Sequence, residues 1–107
     1  MVLLKDLLEA LTVPIVAGWH GPDVHITAVT ADSRAVGPGI AFVATHHRGY
    51  ARDGHAFVDD AMRRGAAAVF VERAPATQPN APVVVVASSS IALAQLAAAL
   101  AGWPASR

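Results

Sequence analysis

Cysteine is absent from this 107-residue chain. That excludes disulfides, thiolate metal sites, iron–sulfur clusters and cysteine nucleophiles. An excess of charge is missing too: eight Lys and Arg balance eight Asp and Glu, and charged residues make up only 15%. Such a balance gives no general affinity for nucleic acid or acidic membranes. Any anionic ligand must therefore be held by local positive charge. The longest apolar stretch, Ile91 to Ala101, is interrupted by Gln95 and falls short of the ~20 residues that a spanning helix needs. Lys5, Asp6 and Glu9 break up the N-terminal leucines where a secretory signal would carry an unbroken apolar core. A cytoplasmic location is the expectation, with neither nucleic acid nor membrane as a partner. Internal repeats are also lacking.

What is present suits a small folded domain. Apolar residues make up 54% of the chain, and a domain of this size buries roughly 65% of its unfolded surface. Leu3, Leu4, Leu7, Leu8 and Leu11 recur at helical spacing, and the pattern ends at Pro14. Val13 to Gly18 reads as a short strand or a loop, and Gly21-Pro22-Asp23 as a turn. His25 to Ala31, rich in β-branched residues, reads as a strand that ends at Asp32-Ser33-Arg34. Val36-Gly37-Pro38-Gly39 is a turn, and Ile40 to Ala44 a short buried strand. A helix is expected from about His55 to Arg64, with acids in its first turn, arginines in its last and Gly65 as its stop. Its pairs Asp59–Arg63 and Asp60–Arg64 have i,i+4 spacing. Ala67 to Glu72 reads as a strand. The four valines Val83 to Val86 read as a central strand buried on both faces. Ser88, Ser89 and Ser90 offer caps for a last helix, Ile91 to Ala101. The expected fold is α/β: one small domain, with a short, mostly buried sheet of about four to five strands packed with helices.

Chemistry concentrates in His46-His47-Arg48-Gly49-Tyr50-Ala51-Arg52-Asp53-Gly54-His55, between a predicted strand and a predicted helix. Ligands of α/β sheets usually bind where strands end. The loop is locally basic, its glycines allow close backbone approach, and Tyr50 or a histidine offers a stacking face. These features fit a nucleotide or another phosphorylated ligand; the plainer reading is a solvated loop with a few salt bridges. A second candidate is Asp32-Ser33-Arg34. Strand alternation would put Asp32 and Arg34 on one face, fixing the turn, and Ser33 on the other, where its hydroxyl could meet a phosphate or a base edge. No H-x-x-x-H, H-E-x-x-H, G-x-S-x-G or G-x-x-x-x-G-K-[ST] pattern occurs. A metal site, a serine hydrolase and an ATP-cradling P-loop are therefore not expected.

These pieces stand in a familiar order. Val29-Thr30-Ala31-Asp32-Ser33-Arg34, Pro38-Gly39 before Ile40-Ala41-Phe42-Val43-Ala44, Gly49, then Asp53-Gly54-His55-Ala56-Phe57-Val58 and Gly65-Ala66 resemble the N-terminal domain of the Mur ligases. The MurE type, UDP-MurNAc-tripeptide synthetase, is the better match, since the tail around Gly102-Trp103-Pro104-Ala105-Ser106 is similar to that domain's exit. The MurF type shares much of the pattern. The resemblance implies that residues 1–107 hold the uridine diphosphate end of UDP-MurNAc-L-Ala-D-Glu, with 102–107 opening a linker to an ATP- and magnesium-binding central domain. The parent ligase would convert the dipeptide's carboxylate to an acyl phosphate, which an incoming amine attacks. The peptide bond so formed belongs to a peptidoglycan precursor, and so serves cell shape and division.

Carried over residue by residue, the implied UDP contacts are Ala31, Ser33, Tyr50, Ala51 and Arg52. His46, His47 and Arg48 are further candidates, because the link before Gly49 is longer than usual in the family. Ala31 is smaller than the common leucine-like residue, and replacement stacking is expected from His46 or His47. No catalytic residue and no cofactor are expected within this chain, and the fragment alone is expected to be inactive. Three alternatives stay open. They are a MurF-type first domain, a stand-alone interaction module on the same fold, and a small metal-dependent hydrolase using His46, His47, Asp53 and His55.

Overall fold

The computed structural model describes residues 2–18, 23–45, 57–73 and 81–102. Strand β1 (Val2–Leu3) leads directly into helix α1 (Leu4–Ala10). Strands β2 (Ile15–Ala17), β3 (His25–Ile26) and β4 (Ala28–Thr30) follow, and then a 3-10 turn at Ser33–Ala35. Strand β5 (Ile40–Val43), helix α2 (Val58–Arg63), strands β6 (Ala68–Val71) and β7 (Val83–Val86), and helix α3 (Ser89–Gly102) complete the order. The expected α/β class is the one observed. The main sheet has five strands in the order β2-β7-β6-β5-β4; its β4, β5, β6 and β7 run parallel, and β2 is antiparallel to β7.

Alternation along the strands separates two cores. Ala41, Val43, Ala68, Phe70, Val84 and Val86 face one way and pack with Leu4 and Leu7 of α1 and with Ala92 and Leu96 of α3. Phe42, Val69 and Val71 face the other way and pack with Val58 and Ala61 of α2 and with Val36 beyond the 3-10 turn. The period of two in a pleated strand makes this division automatic. Phe42 and Phe70 are fully buried, each worth about 1.5–3 kcal/mol of apolar transfer.

Three expectations are corrected. The stretch 25–31 is not one strand: β3 pairs with β1 in a separate two-stranded sheet, and β4 forms an edge of the main sheet. Thr27 divides them, donating its N–H to the Gly39 carbonyl at 2.7 Å and its hydroxyl to the same oxygen at 3.1 Å. The valine run is not the central strand. β6 is, with all four residues buried, whereas Val83 and Val85 of β7 are only half-buried. Beside the antiparallel edge strand β2, a continuous apolar run no longer means burial on both faces. The third correction concerns the start of α3, which is at Ser89. Ser88 is its cap, its Oγ accepting from the Ile91 N–H at 3.4 Å.

Remote side chains satisfy two helix ends. Asp23 Oδ1 accepts from the Lys5 N–H at 3.1 Å and from the Val24 N–H at 3.0 Å, so Asp23 caps α1; Gly21 and Pro22 of the expected turn lie outside the described residues. Gln95, the one interruption of the apolar run on α3, accepts from the backbone N–H groups of Thr12 (2.9 Å) and Val13 (3.4 Å) and donates to the Thr12 hydroxyl. The backbone N–H groups of the chain leaving α1 thus find an acceptor on another helix. Among the described residues, no helix is long and apolar enough to cross a membrane.

Candidate functional site

Four parallel strands direct their carboxyl ends to one side of the domain. Thr30 of β4 pairs with Phe42 of β5, so Asp32 and Ala44, each two residues further on, leave the sheet at the same level. Ala44 extends the β5–β6 ladder, donating its N–H to the Phe70 carbonyl at 2.8 Å, and Thr45 follows it, buried. Thr45 thus stands at the same end of the sheet as the Asp32-Ser33-Arg34 turn. Two of the sequence candidates are brought together here: Ala31 is exposed at the end of β4, and Ser33 is buried just beyond it. Tyr50, Ala51, Arg52, His46, His47 and Arg48 lie outside the described residues, as do Gly49, Asp53, Gly54 and His55 of the same loop.

The turn is not the extended segment that alternation suggested. Asp32 accepts the Arg34 N–H at 2.9 Å and starts a 3-10 turn at Ser33, with Ala35 N donating to the Asp32 carbonyl and Val36 N to the Ser33 carbonyl. A short acceptor side chain that serves its own backbone competes with strand geometry, and here it wins. The same carboxylate grips the Arg34 guanidinium through two bonds of 3.1 Å, and the Thr30 hydroxyl accepts the Asp32 N–H at 3.0 Å. The Arg34 bonds, side chain first and backbone second, hold the Asp32 carboxyl below its ordinary range. Asp32 in turn raises Arg34. The structural role expected for this pair is what the geometry shows.

Ser33 faces inward. Helix α2 packs against its turn. Asp60 of α2 accepts from Arg64 Nε at 3.0 Å and meets Arg63 Nη2 at 3.7 Å. The Arg64 bond is the main reason the Asp60 carboxyl sits below the ordinary aspartate range, with Ser33 and Arg63 adding to it against partial desolvation. The expected Asp60–Arg64 pair is therefore present. Sequence spacing showed Asp60 only as a partner for Arg64. The packing of α2 against the Ser33 turn depends on how the helix crosses the sheet, which no local pattern encodes.

On the same side of the sheet, Glu72 follows β6 and Ser89 opens α3. One carboxylate oxygen of Glu72 accepts both the Ser89 N–H (2.8 Å) and the Ser89 hydroxyl (2.9 Å). Ser89 is fully buried, and an acid at a helix N-terminus also suits the helix dipole. Among the described residues no group of His, Asp and Glu is placed to hold a metal ion; the His46, His47, Asp53 and His55 set lies outside them.

Comparison with known proteins decides the family. The description "Mur ligase family, catalytic domain" matches residues 25–102, from β3 through α3. The chain belongs to the Mur ligase family. A UDP-N-acetylmuramyl-tripeptide synthetase of Roseiflexus sp. is 44% identical over 97% of this chain, which corresponds to 20% of that protein. A UDP-N-acetylmuramoyl-L-alanyl-D-glutamate--2,6-diaminopimelate ligase of Chlorobium phaeobacteroides is 41% identical over 73% of this chain and 15% of its own length. Among solved structures, MurF from Acinetobacter baumannii superposes with a TM-score of 0.63 at 27% identity, covering 85% of this chain and 19% of that one. MurF from Thermotoga maritima, solved with ADP, gives 0.54 at 36% identity over 64% of this chain and 15% of that one. This Mur ligase chain spans about a fifth or less of the length of these relatives.

Proposed function

We propose that this Mur ligase chain is the N-terminal, substrate-holding domain of a MurE-type ligase. It binds the uridine diphosphate end of UDP-MurNAc-L-Ala-D-Glu, and the parent enzyme extends the peptide elsewhere. The observation that supports the reading is that Ser33 and Thr45, both buried, follow β4 and β5 at the carboxyl ends of these paired parallel strands. That is where α/β sheets hold ligands. The names of the sequence relatives, a tripeptide synthetase and a diaminopimelate ligase, support the MurE type. A second reading, the corresponding domain of a MurF-type ligase, draws support from the MurF structures that share the fold.

In this account the domain does no chemistry. It holds a remote part of the substrate, and the binding energy orients a reacting carboxylate at another domain. ATP and magnesium belong to that other domain, since the sequence here carries no phosphate-cradling G-x-x-x-x-G-K-[ST] loop. Ser33, with Ala31 beside it, forms one wall of the UDP site. Tyr50, Ala51 and Arg52, with His46, His47 and Arg48, are the further contacts that the family resemblance implies. The setting is cytoplasmic.

Isothermal titration of the chain with UDP-MurNAc-L-Ala-D-Glu tests the proposal. Saturable binding that Ser33→Ala and Arg52→Ala each weaken is the expected result. Absence of binding by the intact folded chain would leave an interaction module on the same fold as the better account. Peptide extension by the purified chain with ATP would contradict the division of labour.

A further inference from the structure

Strand β2 is held to the domain by hydrogen bonds rather than by burial. Ile15, Val16 and Ala17 are all exposed, Val16 by 69%, and Pro14 before them is exposed as well. Neither core takes a side chain from residues 14–17, whereas every residue of the central strand β6 is buried. β2 is an edge strand whose neighbour is β7, and its pairing shifts register between Ile15 and Ala17. Just ahead of it, the Ala87 N–H donates to the Pro14 carbonyl at 2.9 Å. The anchor of the segment is Val13, buried in the core that α1 and α3 share. Gln95 of α3 sets how the chain leaves that anchor. Its amide oxygen receives the Thr12 and Val13 N–H groups, and its amide nitrogen donates to the Thr12 hydroxyl.

We infer that residues 14–17 form a detachable strap: it opens as a unit while strands β4 to β7 and both cores stay folded, and Gln95 is the latch that keeps it closed. Opening releases a few hydrogen bonds but moves no apolar side chain from a core into water, so it costs far less than unfolding the sheet. The bonds that break lie at an exposed edge, where water takes the place of the lost partners. An open strap bares the outer edge of β7 and leaves β4, at the opposite edge of the sheet, in place. The domain thus carries a two-state element that alters one edge of its sheet alone.

Native-state hydrogen exchange of the intact chain, read by NMR at low urea concentrations, tests this. Ala87 reports on the strap, because its N–H bonds Pro14 and the residue is exposed. Ala44 and Val69, whose N–H groups bond the carbonyls of Phe70 and Pro82, report on the sheet. After correction for intrinsic rates, Ala87 should exchange on the order of a hundredfold faster than Ala44 and Val69, and with little dependence on urea. The two sheet amides should follow the full urea dependence of global unfolding. Gln95→Leu should speed exchange at Ala87 about fivefold. Thr12→Val removes one of the three latch bonds, should speed it less, and serves in its place if Gln95→Leu does not fold. Exchange of Ala87 with the rate and urea dependence of Ala44 overturns the strap, because the edge then opens only with the whole sheet. A rate at Ala87 that the folded variants leave unchanged overturns the latch, because the Gln95 bonds then persist in the open state.

Discussion

Two glycines on either side of Pro38 should respond in opposite directions to the same substitution. Ile40 donates its N–H to the Gly37 carbonyl at 3.0 Å, and Gly39 sits at φ +82°, so Pro38-Gly39 occupies the corner of a turn that needs glycine at its second central position. A Cβ on Gly39 would stand 3.0 Å from Thr27 Oγ1, the same hydroxyl that bonds the Gly39 carbonyl. Backbone strain and this crowding together set the cost of Gly39→Ala at about 1–3 kcal/mol. A Cβ on Gly37 meets nothing within 4 Å and needs no positive φ. Gly37→Ala should therefore stabilise by about 0.4–1 kcal/mol, through a less free unfolded chain. Urea titration followed by circular dichroism should show midpoints moving apart with unchanged slopes, and melting temperatures separating by on the order of 10 °C. If Gly39→Ala melts with the parent, or if both variants fall together, the turn is not built as described. The turn matters for function because it sets where β5 begins, and so where its far end delivers Thr45 and the loop beyond.

Other expectations follow from the same contacts. Glu72→Ala leaves the fully buried Ser89 N–H and hydroxyl without their acceptor, and should cost about 2–4 kcal/mol in urea denaturation. Ser89→Ala removes only one of the two bonds, and Glu72→Gln keeps an acceptor, so each should cost less. Gln95→Leu keeps the volume but strands two backbone donors at the end of α1. We expect a loss of about 1 kcal/mol and faster hydrogen exchange at Thr12 and Val13. Asp32 and Asp60 are both held below the ordinary aspartate value of 3.8. Their contribution is present above that value and is lost as pH falls through the lower folded-state values. Acid titration should therefore loosen the Ser33 turn and α2, and Asp60→Asn should flatten that response.

The sequence made much of the fold legible where one periodicity ruled an element. The leucines of α1, the apolar runs of β5 and β6, and the stop at Gly65, whose φ is +88°, all lie where pattern placed them. Legibility ended where tertiary context decides. Nothing local says that Thr27 breaks a β-branched run into strands of two different sheets, or that a valine run lies one place from the sheet's edge. At Ser33 strand alternation stops short, because an aspartate that caps its own turn competes with a strand. For the candidate site, the residue types and their strand-end position were readable. The burial of Ser33 was not, because the helix α2 that packs on its turn comes from further along the chain.

A crystal structure of the chain soaked with UDP tests the central claim most directly. Nucleotide density at the carboxyl ends of β4 and β5, against Ser33, is the predicted result. Density at another face of the sheet would contradict it.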